Sequence, residues 1–110
     1  MKRILVTGAN KGIGLATVEN LLQNHPDTFL FLGSRDEKRG DEAVRLLTSK
    51  EPKWADRLMM LAIDVSSEES VTMAGETVAS SFETEAKPLY GIINNAGIGS
   101  SSIGLEPTLQ

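Results

Sequence analysis

A chain of 110 residues, 40% apolar and 24% charged, has the size and balance of one small globular domain. Its net charge of −4 argues against a nucleic-acid footprint, and the absence of cysteine excludes disulfides, thiolate metal sites and a cysteine nucleophile. The longest apolar run, Leu58 to Ile63, cannot span a bilayer, and the run behind Met1-Lys2-Arg3 is too short for a signal-peptide core, so a soluble, cytoplasmic protein without membrane or nucleic-acid partners is expected.

Ile4-Leu5-Val6 reads as a first strand, and its continuous apolar character suits a parallel strand buried on both faces. Gly8-Ala9-Asn10-Lys11-Gly12-Ile13-Gly14 follows it. A glycine-rich turn between strand and helix lets backbone N–H groups converge on a phosphate, where the helix N-terminus adds partial positive charge. The glycines serve a tight turn, close backbone approach to a pyrophosphate, and close packing of helix on strand. A glycine-rich turn holding no ligand is the plainer alternative, but strand, turn and helix stand here in the order that dinucleotide binding requires. The helix runs from about Gly12 to Asn24, with Ile13, Ala16 and Leu21 on its apolar face and Val18 and Leu22 beside them. His25-Pro26-Asp27 ends it.

Phe29 to Leu32 is a second strand. Asp36 can cap a second helix with Glu37 in its first turn and Ala43, Leu46 and Leu47 on one side, although Gly40 weakens it. Pro52 to Arg57 reads as loop and Leu58 to Ile63 as a third strand. Ser66 and Glu69 have capping-box spacing and open a third helix whose apolar stripe is Val71, Ala74, Val78 and Phe82. Pro88 marks the loop before a fourth strand, Leu89 to Ile93, and the Gly- and Ser-rich remainder reads as loop. Four alternations of strand and helix predict an α/β fold: a Rossmann-like, doubly wound parallel sheet of order 3-2-1-4 with right-handed crossovers. Residues 1–110 would form one dinucleotide-binding domain, with the ligand crevice at the carboxyl ends of strands one and four.

The glycine spacing, Gly-x-x-x-Gly-x-Gly, is neither Gly-x-Gly-x-x-Gly nor a P-loop. With Thr7 before it and Asn94-Asn95-Ala96-Gly97 ending the fourth strand, the chain resembles the short-chain dehydrogenase/reductase family. The stretch Thr7 to Ala16 looks especially like the NADPH-dependent carbonyl reductases of that family. The resemblance implies that Gly8, Gly12 and Gly14 form the pyrophosphate turn with the Ile13 backbone beside it, that Asn10 belongs to the cofactor site, and that Asp64 and Val65 contact adenine. It also implies that Asn95, Ala96 and Gly97 line the adenosine ribose and brace the sheet centre. Asp64 could instead merely end its strand before the Ser66 cap, and Asn94 is structural or ligand-facing.

Charge bears on the choice of cofactor. NAD sites place Asp or Glu at the end of strand two to accept from the 2′-hydroxyl. Here that point reads Gly33-Ser34-Arg35, and Arg35 can hold a 2′-phosphate bidentately. Lys11 matches the second cation that similar carbonyl reductases use, so NADP(H) is the expected cofactor. Asp36 counts against it, since a carboxylate repels a phosphate, but a helix cap explains Asp36 without a ligand. Lys11 as a solvated loop charge and Arg35 as a partner of Asp36 are the plainer alternatives.

In reductases of this family a tyrosine acid, a lysine in Tyr-x-x-x-Lys and a serine follow the Asn-Asn-Ala-Gly loop. This chain ends 13 residues past Gly97, and its one tyrosine, Tyr90, is followed by Gly-Ile-Ile-Asn. No catalytic residue is therefore assigned. Tyr90 reads as a packing residue, Ser100, Ser101 and Ser102 as loop serines, His25 as a helix-end or surface residue, and Trp54 as a cap on the core. The expected function is the cofactor-binding portion of a truncated NADPH-dependent reductase, acting on a carbonyl substrate only as a longer chain. A non-catalytic dinucleotide-binding module and an interaction protein, forming a homo-oligomer through the exposed edge of strand four, are the alternatives.

Overall fold

The apolar runs assemble into a four-stranded parallel sheet in the computed structural model, which describes residues 2–81 and 91–95. In chain order the elements are β1 (Lys2–Val6), α1 (Gly12–Asn24), β2 (Thr28–Ser34), α2 (Glu37–Lys50), a 3-10 helix (Pro52–Arg57), β3 (Leu58–Ala62), α3 (Glu68–Ser81) and β4 (Gly91–Ile93). The strand order is β3-β2-β1-β4, as the alternation predicts, with Leu5 of β1 beside Phe31 of β2 and Ile92 of β4. Phe82, Pro88, Leu89, Tyr90, Ala96, Gly97 and the serines at 100–102 lie outside the described residues.

Because side chains alternate across a strand, β2 feeds two cores. Leu30 and Leu32 join Val6, Val18, Leu22, Ala43, Leu47 and Leu58 beneath α1 and α2, with Trp54 packed against their edge. Phe31 joins Leu5, Leu61, Ile63, Ala74 and Val78 beneath α3. Among the described residues, no helix is long and apolar enough to cross a membrane.

The buried line of α1 is Gly14, Val18 and Leu22, whereas Ile13 is 70% exposed and Ala16 also faces outward. The helix is rotated from the face that apolar content suggests, because Gly14 lets its first turn approach the sheet more closely than any side chain would. Gly40 has a similar reason. A Cβ there would lie 2.7 Å from Met60 Cγ and 2.9 Å from Ser34 Cβ, so the propensity cost of about 1 kcal/mol is offset by close packing of α2 on β2 and β3. Ala43 and Leu47 are buried as expected, but Leu46 is 49% exposed.

Boundaries differ too: β1 starts two residues before Ile4, β2 extends past Phe29–Leu32 at both ends, and β3 stops one residue short of Ile63. Pro52 to Arg57 is a 3-10 helix rather than loop, with Glu51 capping it by accepting from Lys53 N at 3.2 Å. The third helix is capped by Ser67, whose Oγ accepts from Ser70 N at 3.2 Å, one residue later than the capping-box spacing suggests. Ser66 is already engaged with Asp64. Within the expected stripe Ala74 and Val78 are buried, while Val71 is 43% exposed.

Candidate cofactor site

Gly8 and Gly12 both adopt positive φ, 58° and 62°, in the left-handed region that glycine enters without steric cost. Between them the buried Ala9 donates its N–H to Gly33 O at 2.8 Å, which pins the turn onto β2. A Cβ at Gly14 would clash with the Gly8 carbonyl oxygen and lie 2.6 Å from Asn95 Nδ2 and 2.9 Å from Ala9 Cα, whereas one at Gly12 would meet nothing within 4 Å. The turn is closed on its sheet side and open on its outer side. Lys11 enters α1 in extended conformation without a side-chain cap, and the first turn holds no acidic residue. The first N–H groups of α1 lack intrahelical partners by geometry, so together with the helix dipole they offer an anion site.

A strap from β4 holds this turn. Thr7 N donates to Ile93 O at 3.0 Å, Asn95 N donates to Thr7 Oγ1 at 2.9 Å, and Thr7 Oγ1 donates to Asn94 Oδ1 at 3.1 Å. Asn95 Nδ2 then donates to Gly8 O at 3.0 Å. Asn95 thus braces the glycine turn directly, and Asn94 belongs to the same brace.

At the end of β2 the buried Ser34 fixes the chain on either side of the exposed Arg35. Its Oγ donates to Asp36 O at 2.7 Å and accepts from Asp36 N at 3.2 Å. Asp36 turns its carboxylate toward α2: Oδ1 accepts from Arg39 N at 3.1 Å, and Oδ2 lies 3.8 Å from Arg39 Nε. Its ionic partner is Arg39 rather than Arg35. An open groove of about 320 Å³ runs between the two helices, lined by Asn10, Lys11 and Leu15 on one side and by Arg39, Glu42, Ala43 and Leu46 on the other. Arg39 escapes the sequence reading. The only signal for it is its place three residues after the Asp36 cap, in the first turn of α2.

Beyond β3, Asp64 and Val65 lead toward α3, with Val65 41% exposed. Asp64 N donates to Ser70 Oγ at 2.8 Å, while Oδ1 accepts from Ser66 Oγ at 2.6 Å and from Ser66 N at 3.0 Å. The Ser66 hydroxyl, then its backbone N–H, hold the Asp64 carboxyl below its ordinary value against an opposing effect of burial, and the nearby Arg35 charge lowers it further. A lowered folded-state pKa stabilises the fold above the unfolded value of about 3.9 and ceases to do so as pH falls through the folded value. Asp64→Asn should therefore lose less of its urea midpoint than the wild type between about pH 5 and pH 3. Parallel midpoint losses in that window would rule out a contribution from Asp64.

A family model described as short chain dehydrogenase matches residues 2–108. The chain is 36% identical over 98 residues to the mitochondrial D-beta-hydroxybutyrate dehydrogenase of Bos taurus, covering 88% of this chain and 27% of that one. Among solved structures it resembles a menthone neomenthol reductase from Mentha piperita, with TM-score 0.76 and 34% identity over 88% of this chain and 32% of that one. It also resembles an NADPH-bound carbonyl reductase from chicken fatty liver, with TM-score 0.72 and 34% identity over 94% of this chain and 39% of that one. The chain thus spans from 27% to 39% of the length of these proteins. With its sheet order, glycine turn and family match in agreement, the chain belongs to the short chain dehydrogenase family.

Proposed function

We propose that the chain is the cofactor-binding portion of an NADPH-dependent oxidoreductase that transfers hydride to a carbonyl substrate. The observation that carries this is the uncapped start of α1, behind a turn with two positive-φ glycines, with the exposed Lys11 at its N-cap and the exposed Arg35 directly after β2. The residues present fit a dinucleotide phosphate: a Cβ at Gly12 would project into open space, and the neighbouring carboxylate of Asp36 is committed to α2. The NADPH in the chicken carbonyl reductase supports the same choice.

In this reading Gly8, Asn10, Gly12, Ile13 and Gly14 hold the pyrophosphate, and Lys11 and Arg35 hold the 2′-phosphate. Asp64 and Val65 meet the adenine, while Asn95, Ala96 and Gly97 border the adenosine ribose. The bound nicotinamide supplies the hydride, and this chain's part is to bind and orient it. The 110 residues contain no Tyr-x-x-x-Lys, so reduction of a carbonyl belongs to a longer chain. Residues 1–110 act as one dinucleotide-binding domain in a cytoplasmic setting, with self-association through the β4 edge as a further expectation.

Titration with NADPH and NADH tests the proposal. A charge-assisted contact is worth about 1.5–3 kcal/mol, and solvent exposure at this rim places each cation near the lower end. Lys11→Gln and Arg35→Gln should each weaken NADPH about tenfold and leave NADH nearly unchanged. Binding of NADH as tightly as NADPH by the wild type would overturn the cofactor assignment.

A further inference from the structure

We infer that Asp36 strengthens recognition of a 2′-phosphate, which its own charge would repel, by holding the Arg39 guanidinium at the groove shared with Lys11. This rests on the NADPH reading above. Asp36 is fixed at three points. Ser34 grips its backbone on both sides, Oδ1 caps α2 through Arg39 N, and Oδ2 faces Arg39 Nε. Turning the carboxylate toward the end of β2 would break the cap, so its charge remains directed at Arg39.

A guanidinium carries five N–H donors in a planar fork. The ion pair on the Nε side, with Asp36 Oδ2 at 3.8 Å, leaves the two Nη groups, the edge that grips a phosphate bidentately. Arg39 and Lys11 line opposite sides of the same groove, one from α2 and one from the glycine turn. Glu42 lies three residues beyond Arg39 on that groove and is an alternative partner at helical i,i+3 spacing. Asp36 therefore biases Arg39 away from Glu42. The pair is exposed, with side chains 64% and 54% accessible, so the bias corresponds to about a two- to fivefold change in affinity.

The test uses 2′,5′-ADP and 5′-AMP as probes, titrated calorimetrically into the 110-residue chain. A wild type that binds both equally would sink the NADPH reading, and this inference with it. Given a wild-type preference for 2′,5′-ADP, Asp36→Ser separates the two roles, since a serine oxygen still caps Arg39 N but no second oxygen meets Nε. The expected result is 2′,5′-ADP binding weakened about two- to fivefold, unchanged 5′-AMP binding and a melting temperature near that of the wild type. Arg39→Gln should weaken 2′,5′-ADP at least as much, and adding Asp36→Ser to it should change nothing more. Should the serine variant fail to fold, Asp36→Asn keeps the Oδ1 acceptor and carries the same expectation. Equal or tighter 2′,5′-ADP binding by the Asp36 variant would overturn the inference, because repulsion would then outweigh positioning. A further loss on the Arg39→Gln background would overturn it too.

Discussion

Replacing Gly14 with alanine is expected to abolish saturable NADPH binding and to destabilise the chain by about 2–4 kcal/mol. The added Cβ would clash with the Gly8 carbonyl oxygen and approach Ala9 Cα to 2.9 Å, and backbone atoms cannot rotate aside. Either the first turn of α1 withdraws from the glycine turn, or the 3.0 Å bond from Asn95 Nδ2 to Gly8 O breaks and the β4 strap releases. Both outcomes displace the N–H groups that would meet a phosphate. The helix-propensity gain of alanine, about 1 kcal/mol, opposes the clash without matching it. Gly75 provides the control. It lies in α3 with nothing within 4 Å of a built Cβ, so Gly75→Ala should stabilise by up to about 1 kcal/mol and leave binding intact. Wild-type NADPH affinity in Gly14→Ala, measured by fluorescence or calorimetric titration, would show that the close approach is not needed.

The contrast between Gly14 and Ile13 shows what the sequence can and cannot reveal. Strand order follows from the alternation of elements and the handedness of their crossovers, and both are visible in apolar runs and turn residues. The rotation of α1 is decided by how closely backbone can meet backbone. A pattern that counts apolar side chains finds Val18 and Leu22 but overlooks glycine as an inward residue, and so places Ile13 and Ala16 inside where Gly14 belongs. Gly40 is hidden in the same way, because its role depends on Met60 and Ser34 across a contact between elements. The cap of α3 shifts from Ser66 to Ser67 because Asp64 competes for Ser66, and spacing alone cannot rank two adjacent serines. At the candidate site, the glycine turn is legible because its backbone chemistry is local. Arg39 is not, since it enters the groove only once α1 and α2 lie side by side.

Arg57→Met should cost about 2–4 kcal/mol, a large share of the roughly 5–15 kcal/mol available to a small domain, while leaving the nucleotide affinity of the folded protein unchanged. Its guanidinium closes the chain between α1 and β2 from the far end of the 3-10 helix. Nε donates to Thr28 O at 2.9 Å, Nη1 to Leu22 O at 3.1 Å, and Nη2 to His25 O at 2.7 Å and Thr28 Oγ1 at 3.3 Å. The last turn of α1 holds no basic residue, so Arg57 supplies the cation that the helix C-terminus favours and satisfies a carbonyl left without an intrahelical donor. Methionine retains the apolar stem and loses all four bonds. Water can replace some of them at this partly buried site, which keeps the cost below the sum of four charge-assisted bonds. Lysine keeps the charge without the planar fork and should recover less than half of the loss. The glycine turn sits at the opposite end of a 13-residue helix, roughly 20 Å away, so NADPH binding and stability should separate cleanly in this variant. An unfolding free energy for Arg57→Met, from urea titration, within about 0.5 kcal/mol of wild type would mean that water serves these carbonyls as well as the guanidinium does.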